Sequence, residues 1–221
     1  NKVSYYTPKV AGVQIGVSFT PDVAVHGTVT KLASTPKNED KNFENLVDYG
    51  ITYENKFQDL DVKVGLIGQF GKSKTLTVAR TDVRAWELGS SIGYKGFTVA
   101  GSFSDWGKSA TPVIKDPTKK YGASYWTLGA GYEYKLLTTS VSYFKGKRAN
   151  VFATATDPIA ASTALHDRGF NKNQYLIFGA AYKLAPGFLP YAEFTHFKAK
   201  RYGATINNSG YVLLGGTKLA F

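Results

Sequence analysis

The 221 residues carry a formal net charge of +11, with 23 glycines, 15 tyrosines, 14 phenylalanines and neither cysteine nor methionine. Without cysteine, a disulfide framework and thiol chemistry are excluded, and without an apolar run of about 18 residues so is a membrane-spanning helix. The charge raises nucleic-acid binding. However, the basic residues are scattered through polar loops, with no recognition helix, zinc spacing or ribonucleoprotein-type motif, so no nucleic-acid partner is expected.

In chain order, eleven strands are predicted, over 1–8, 12–20, 43–55, 61–71, 84–95, 97–106, 123–134, 136–146, 173–184, 188–200 and 209–221. Asn1 to Tyr6 already reads as strand, with no signal peptide before it, so a processed protein or a fragment is expected. Val13, Ile15, Val17 and Phe19 share one face, opposite Gln14, Gly16, Ser18 and Thr20. Val47, Tyr49, Ile51 and Tyr53 do the same, and so do Trp86, Leu88, Ile92 and Tyr94. Later, Trp126, Leu128, Ala130, Tyr132 and Tyr134 alternate with Thr127, Gly129, Gly131 and Glu133. Leu176, Phe178, Ala180 and Tyr182 follow the same rule.

Soluble sandwiches also alternate. Two features separate this chain from them. The second face is mostly glycine, serine, alanine and threonine with an occasional charge, which suits a watery lumen. Aromatic residues gather near strand ends, where amphipathic rings meet the two membrane interfaces. The connections also alternate in length: short at Pro8–Gly12, Asn55–Leu60, Lys95-Gly96, Lys135-Leu136 and Ala185–Phe188, and long and polar at Pro21–Asn42, Gly71–Val83, Gly107–Gly122, Gly146–Lys172 and Lys200–Asn208. Short periplasmic turns and long outer loops are the pattern of an antiparallel transmembrane β-barrel of the bacterial outer membrane. The whole of 1–221 reads as one such all-β domain. Bacterial single-chain barrels have even strand numbers. Eleven strands, with the first and last running the same way, therefore lead to the expectation that N-terminal strands are missing.

Two segments carry a family resemblance. Ser4-Tyr5-Tyr6-Thr7-Pro8-Lys9-Val10-Ala11-Gly12-Val13-Gln14-Ile15-Gly16-Val17-Ser18-Phe19-Thr20-Pro21-Asp22 resembles an internal strand–turn–strand of the Gram-negative general porins, particularly the trimeric proteobacterial ones. Gly210 to Phe221 resembles their closing strand. The resemblance implies the last eleven of sixteen strands, a homotrimer, and an end signal (Tyr211, Leu219 and the terminal Phe221) read by the barrel-assembly machinery. It also implies passive diffusion of small hydrophilic solutes through a water-filled channel, with no enzymatic activity, no cofactor and no metal.

Such a channel needs a hole, a size limit and a field, and charged rings supply the field. The candidates for inward charge are Lys63, Arg84, Lys145, Lys218, Glu54, Glu87, Glu133 and Glu193. By resemblance, Arg84, Lys63 and Lys145 would form the basic cluster on the wall. Loop cations such as Lys31, Lys37, Lys72, Lys115 and Arg201 face outer-membrane lipids and lipopolysaccharide in this reading, and would raise anion concentration near the mouth. Anion preference is the expectation. Two alternatives remain open: a solute-specific channel for phosphate or another anion, marked by basic and aromatic residues aligned down the lumen, and a plugged structural or adhesive barrel. His26, His166 and His196 lie in no metal or triad motif, and no His-Glu-x-x-His occurs.

Overall fold

The computed structural model describes residues 2–23, 43–74, 80–109, 111, 122–149, 169–201 and 207–220. Within them the chain forms one antiparallel sheet whose strand order equals sequence order. The strands are β1 (Val3–Tyr6), β2 (Val13–Asp22), β3 (Phe43–Phe57), β4 (Leu60–Ser73), β5 (Val83–Tyr94), β6 (Phe97–Gly107), β7 (Ala123–Tyr134), β8 (Leu137–Ala149), β9 (Phe170–Tyr182), β10 (Phe188–Lys200) and β11 (Asn208–Leu219). All eleven predicted strands are present, most within two or three residues of the predicted ends. Each strand pairs only with its sequence neighbours, so the sheet is open between β1 and β11 among the described residues.

Backbone stereochemistry explains the tight hairpins. Between β5 and β6 the turn is two residues long, and Lys95 and Gly96 have φ of 46° and 85°. A two-residue type I′ turn needs positive φ at both central positions because its twist then matches that of the strands. A Cβ on Gly96 would also stand 2.5 Å from the carbonyl oxygen of Glu133 on the neighbouring hairpin. Two bulges interrupt the ladders, between Glu44 and Val47 on β3 and between Asp105 and Gly107 on β6. Both lie at the long-loop end, where strands leave regular pairing.

The register carries a single inward face across the whole sheet. Gly16, Gly50, Ile67, Glu87, Ser104, Tyr125, Gly146, Asn173 and Ala199 are successive cross-strand partners in one row. On the opposite face lie Ile51, Leu66, Leu88, Phe103 and Trp126, again in register. Period two fixes this: every second side chain returns to the same side.

The sheet encloses no ordinary core. Among the described residues, Val83, Ala85 and Ala149 are the only buried hydrophobics, while Leu213 is 79% exposed and Tyr211 71%. Leaving a leucine-sized side chain in water forgoes about 1.5–3 kcal/mol. Dozens of such residues line the outward face, and their sum exceeds the roughly 5–15 kcal/mol that holds a folded domain together. That face therefore belongs in an apolar solvent. On β7 it runs from Trp126 to Tyr134, eight steps of about 3.4 Å, or about 27 Å along the strand. Tilted by roughly 40°, this spans about 21 Å, close to the apolar band of an outer-membrane barrel. Aromatic contacts mark both rims. Trp126–Tyr143 (5.1 Å) and Trp86–Phe103 (5.6 Å) lie toward the long loops, and Phe97–Tyr132 (4.1 Å) lies beside the short turns. Lys95 and Lys135 each place Nζ 5.2 Å from the ring of the preceding tyrosine, so ammonium groups cap the turn-side girdle.

Candidate functional site: the inward wall

The inward face of β1 to β6 forms a concavity of about 430 Å³ lined by Tyr6, Ser18, Asp48, Gln69, Glu87 and Trp106, among others. Asp48 accepts from Lys2 Nζ and from Ser18 Oγ, both at 2.9 Å. Sequence reading left this trio out because its members come from three neighbouring strand segments, with Lys2 and Asp48 46 residues apart. Nearer the turns, Glu54 lies between Lys9 Nζ (2.6 Å) and Lys63 Nζ (3.9 Å), which joins two of the expected charges. These pairs are exposed and contribute little to stability. Their consequence is to offset charge on the wall.

Six of the eight expected inward charges carry inward parity. Glu54 and Lys63 are register partners on that face, and Glu133 pairs with Thr138 there. Glu87 is half-buried and accepts from Tyr125 Oη at 2.6 Å. Glu193 accepts from Thr195 Oγ1 at 3.2 Å. Lys218 partners Leu189 and shares the side of Leu214, the partner of Glu193.

Arg84 and Lys145 are corrections. Arg84 partners Phe70 and stands two residues from Trp86, on the outward face. Lys145 partners Trp126 and Gln174, also outward. Each is an even number of residues from an outward aromatic, so the strand period overrides the role suggested by resemblance. Of the three residues expected to form a basic wall cluster, Lys63 alone faces inward. The inward charges that remain from the eight are four acids and two bases.

The inward face also holds a row of rings that alternation did not lead us to expect. Tyr125, Phe144, Tyr175 and Phe197 lie on four consecutive strands, all half-buried. Phe144 partners Tyr175, which partners Phe197. Ring centroids are 5.4 Å apart for Tyr125–Phe144 and 5.6 Å for Phe144–Tyr175. Glycine makes room for them. An ideal Cβ on Gly146 would stand 3.0 Å from the Phe144 ring, and one on Gly210 3.1 Å from Phe197. The two phenylalanine rings therefore lie against the wall at those glycines. The sequence signal was a bulky doublet near the long-loop end of each strand: Tyr125-Trp126, Tyr143-Phe144, Tyr175-Leu176 and His196-Phe197. One member of each belongs to the rim and the other to the lumen.

No group of three or more His, Asp or Glu side chains able to hold a metal occurs among the described residues. His196 faces outward and stacks on Tyr211 at 4.7 Å, while His26 and His166 lie outside the described residues. Gly89-Ser90-Ser91-Ile92-Gly93 does match the spacing of a serine-nucleophile elbow. It lies in the middle of β5, with Ser91 partnering Lys63 and Ala100, and lacks the strand-to-helix turn such a nucleophile needs. Tyr211 and Leu219 of the expected end signal share the outward side of β11, and Phe221 lies outside the described residues.

The family model described as Gram-negative porin matches residues 1–202. The chain belongs to the Gram-negative porin family. Its uncharacterized relatives from Rickettsia bellii and Rickettsia conorii are 31% and 28% identical over the whole chain. This porin chain spans 56% of the length of either relative. Among solved structures, it is similar to an anion-selective porin from Comamonas acidovorans (TM-score 0.64, 17% identity, all of this chain and 59% of that one). It is also similar to OmpT of Vibrio cholerae (0.58, 11%, 98% and 64%) and to OccD3 of Pseudomonas aeruginosa (0.56, 12%, 98% and 59%). At these identities the likeness concerns the fold: an outer-membrane β-barrel, of which this open sheet is the corresponding part. The porin is accordingly a protein of the bacterial outer membrane, and its outward face meets lipid.

Proposed function

We propose that this porin forms a water-filled channel for passive diffusion of small hydrophilic solutes across the outer membrane. The observation that carries the reading is the two-sided single-layer sheet, with exposed apolar side chains outside and glycine, serine, threonine and spaced charges inside. The field differs from the one expected. Fixed positive charge lies at the outer rim and in loop sequence, while on the wall Lys2, Lys9 and Lys63 offset Asp48 and Glu54 instead of forming a basic cluster. Any anion preference then arises from anions gathered at the mouth, an effect that salt weakens because the Debye length falls to roughly 8 Å at physiological ionic strength. Planar-bilayer recording of the full protein tests the proposal: discrete conductance steps are expected, and their absence from folded protein refutes it.

The rest of the reading extends to partners. The porin assembles as a homotrimer, is inserted by the barrel-assembly machinery through Tyr211, Leu219 and Phe221, contacts outer-membrane lipid and lipopolysaccharide, and catalyses nothing. A second reading, a solute-specific channel, is favoured by the inward ring row. The rings run around the wall at one level, and the inward bases Lys63 and Lys218 stand on distant strands. A ring-faced solute suits this arrangement better than phosphate. Current block by sugars or aromatic acids, lost on Phe144→Ala, is the expected mark.

A further inference from the structure

Outside the barrel, the upper ends of β8, β9 and β10 bear five lysines on one face. Lys147, Lys172 and Lys200 are successive register partners across the three strands. One step toward the membrane, Lys145 and Lys198 flank Gln174 in the same way. All five are exposed and share the outward parity of Tyr143, Leu176 and His196. Side chains directly opposite on one sheet face have Cβ atoms about 5 Å apart, and like charges there repel. None of the five makes an ion pair among the described residues. Lys147 places Nζ 5.3 Å from the Phe170 ring, which leaves its charge unneutralised.

The turn side differs. There Lys95, Lys135 and Lys183 stand on separate hairpins, and Lys95 has Asp59 at 3.8 Å. Among the described residues, a contiguous block without ion-pair partners is confined to the long-loop side of three strands.

Its height is informative. Lys145 lies two residues beyond the girdle aromatic Tyr143 and Lys147 four, about 7 Å and about 14 Å along the strand. With a tilt of roughly 40° these are about 5 Å and about 10 Å above the girdle. A bilayer's polar layer extends roughly 5–8 Å beyond the hydrocarbon on each side. The ammonium groups therefore meet headgroups, and being outward they are out of reach of solutes in the lumen.

We propose that Lys147, Lys172 and Lys200, supported by Lys145 and Lys198, form a binding site for a phosphorylated headgroup of outer-leaflet glycolipid. The phosphate oxygens accept from the three ammonium groups, and the acyl chains lie along the apolar wall below. The proposal rests on the outer-membrane orientation, with the long loops outside. It does not depend on conduction.

The test uses the full protein reconstituted in phosphatidylcholine vesicles with and without lipid A. Bound lipid is counted by native mass spectrometry, and melting of the β-sheet is followed by circular dichroism. The variants are the triple Lys147→Gln/Lys172→Gln/Lys200→Gln, the single Lys172→Gln, and the turn-side control Lys95→Gln/Lys135→Gln/Lys183→Gln. Lipid A is expected to raise the melting temperature of the unmodified protein and the control. Affinity should fall roughly fivefold in the single variant and roughly a hundredfold in the triple, as expected for surface lysines meeting anionic lipid. Free inorganic phosphate at millimolar concentration should leave melting unchanged; an equal shift with it would overturn the lipid assignment. Equal lipid A affinity in the triple variant and the control would overturn the site. Bilayer recording on the same samples separates the two ideas: lost lipid binding with unchanged conductance supports the site, and bound lipid without conductance refutes only the channel.

Discussion

Replacing Ala130 by lysine asks which solvent the outward face meets. Ala130 lies on β7 four residues from Trp126 and four from Tyr134, and its register partners are Val99 and Val141. Four steps are about 14 Å along the strand, or about 10 Å of depth at the usual tilt, so the residue is near the middle of the apolar band. A lysine at the midplane of an outer-membrane barrel costs about 2–4 kcal/mol, a fall of roughly 30- to 700-fold in the folding equilibrium. The matched control is Ser140→Lys on β8, inward and between Gly131 and Gly179. Facing water, it should change stability by about 0.5 kcal/mol or less. Reversible urea unfolding in lipid vesicles, followed by tryptophan fluorescence, measures both. If Ala130→Lys costs no more than Ser140→Lys, the assignment of the two faces is wrong.

Three more outcomes are expected. Glu87→Gln removes a wall carboxylate, and at about 10 Å in water one charge is worth about 0.4 kcal/mol. Anions gain and cations lose this amount, about twofold each, so the anion-to-cation permeability ratio should rise about fourfold at low salt, read as a reversal potential in a salt gradient. Arg84→Gln and Lys145→Gln should leave that ratio near the unmodified value, because both side chains face outward; a loss of anion preference would restore them to the wall. Gly96→Val should destabilise the barrel by about 1–3 kcal/mol, since it forces a branched residue to φ of 85° and against the Glu133 carbonyl. The same unfolding assay reports it.

The strands were legible because lipid on one side and water on the other impose a period of two on every segment. The pairing order was also legible, since two-residue turns such as Lys95-Gly96 force neighbours to pair. The lumen was less so. Arg84 and Lys145 count among the charges expected inward, against their own parity, although Trp86 and Tyr143 two residues away already assign them outward. Tyr125, Phe144, Tyr175 and Phe197 were hidden because a bulky doublet at a strand end reads as girdle throughout, and alternation cannot say which member turns in. Asp48 and Lys2 find each other only through the β1–β2–β3 register, which is a tertiary fact.

Strand direction gives the described sheet a polarity. β1 and β11 both run toward the short-turn side. An antiparallel neighbour of either must run from the short turns toward the long loops, the direction that β2 and β10 take beside them.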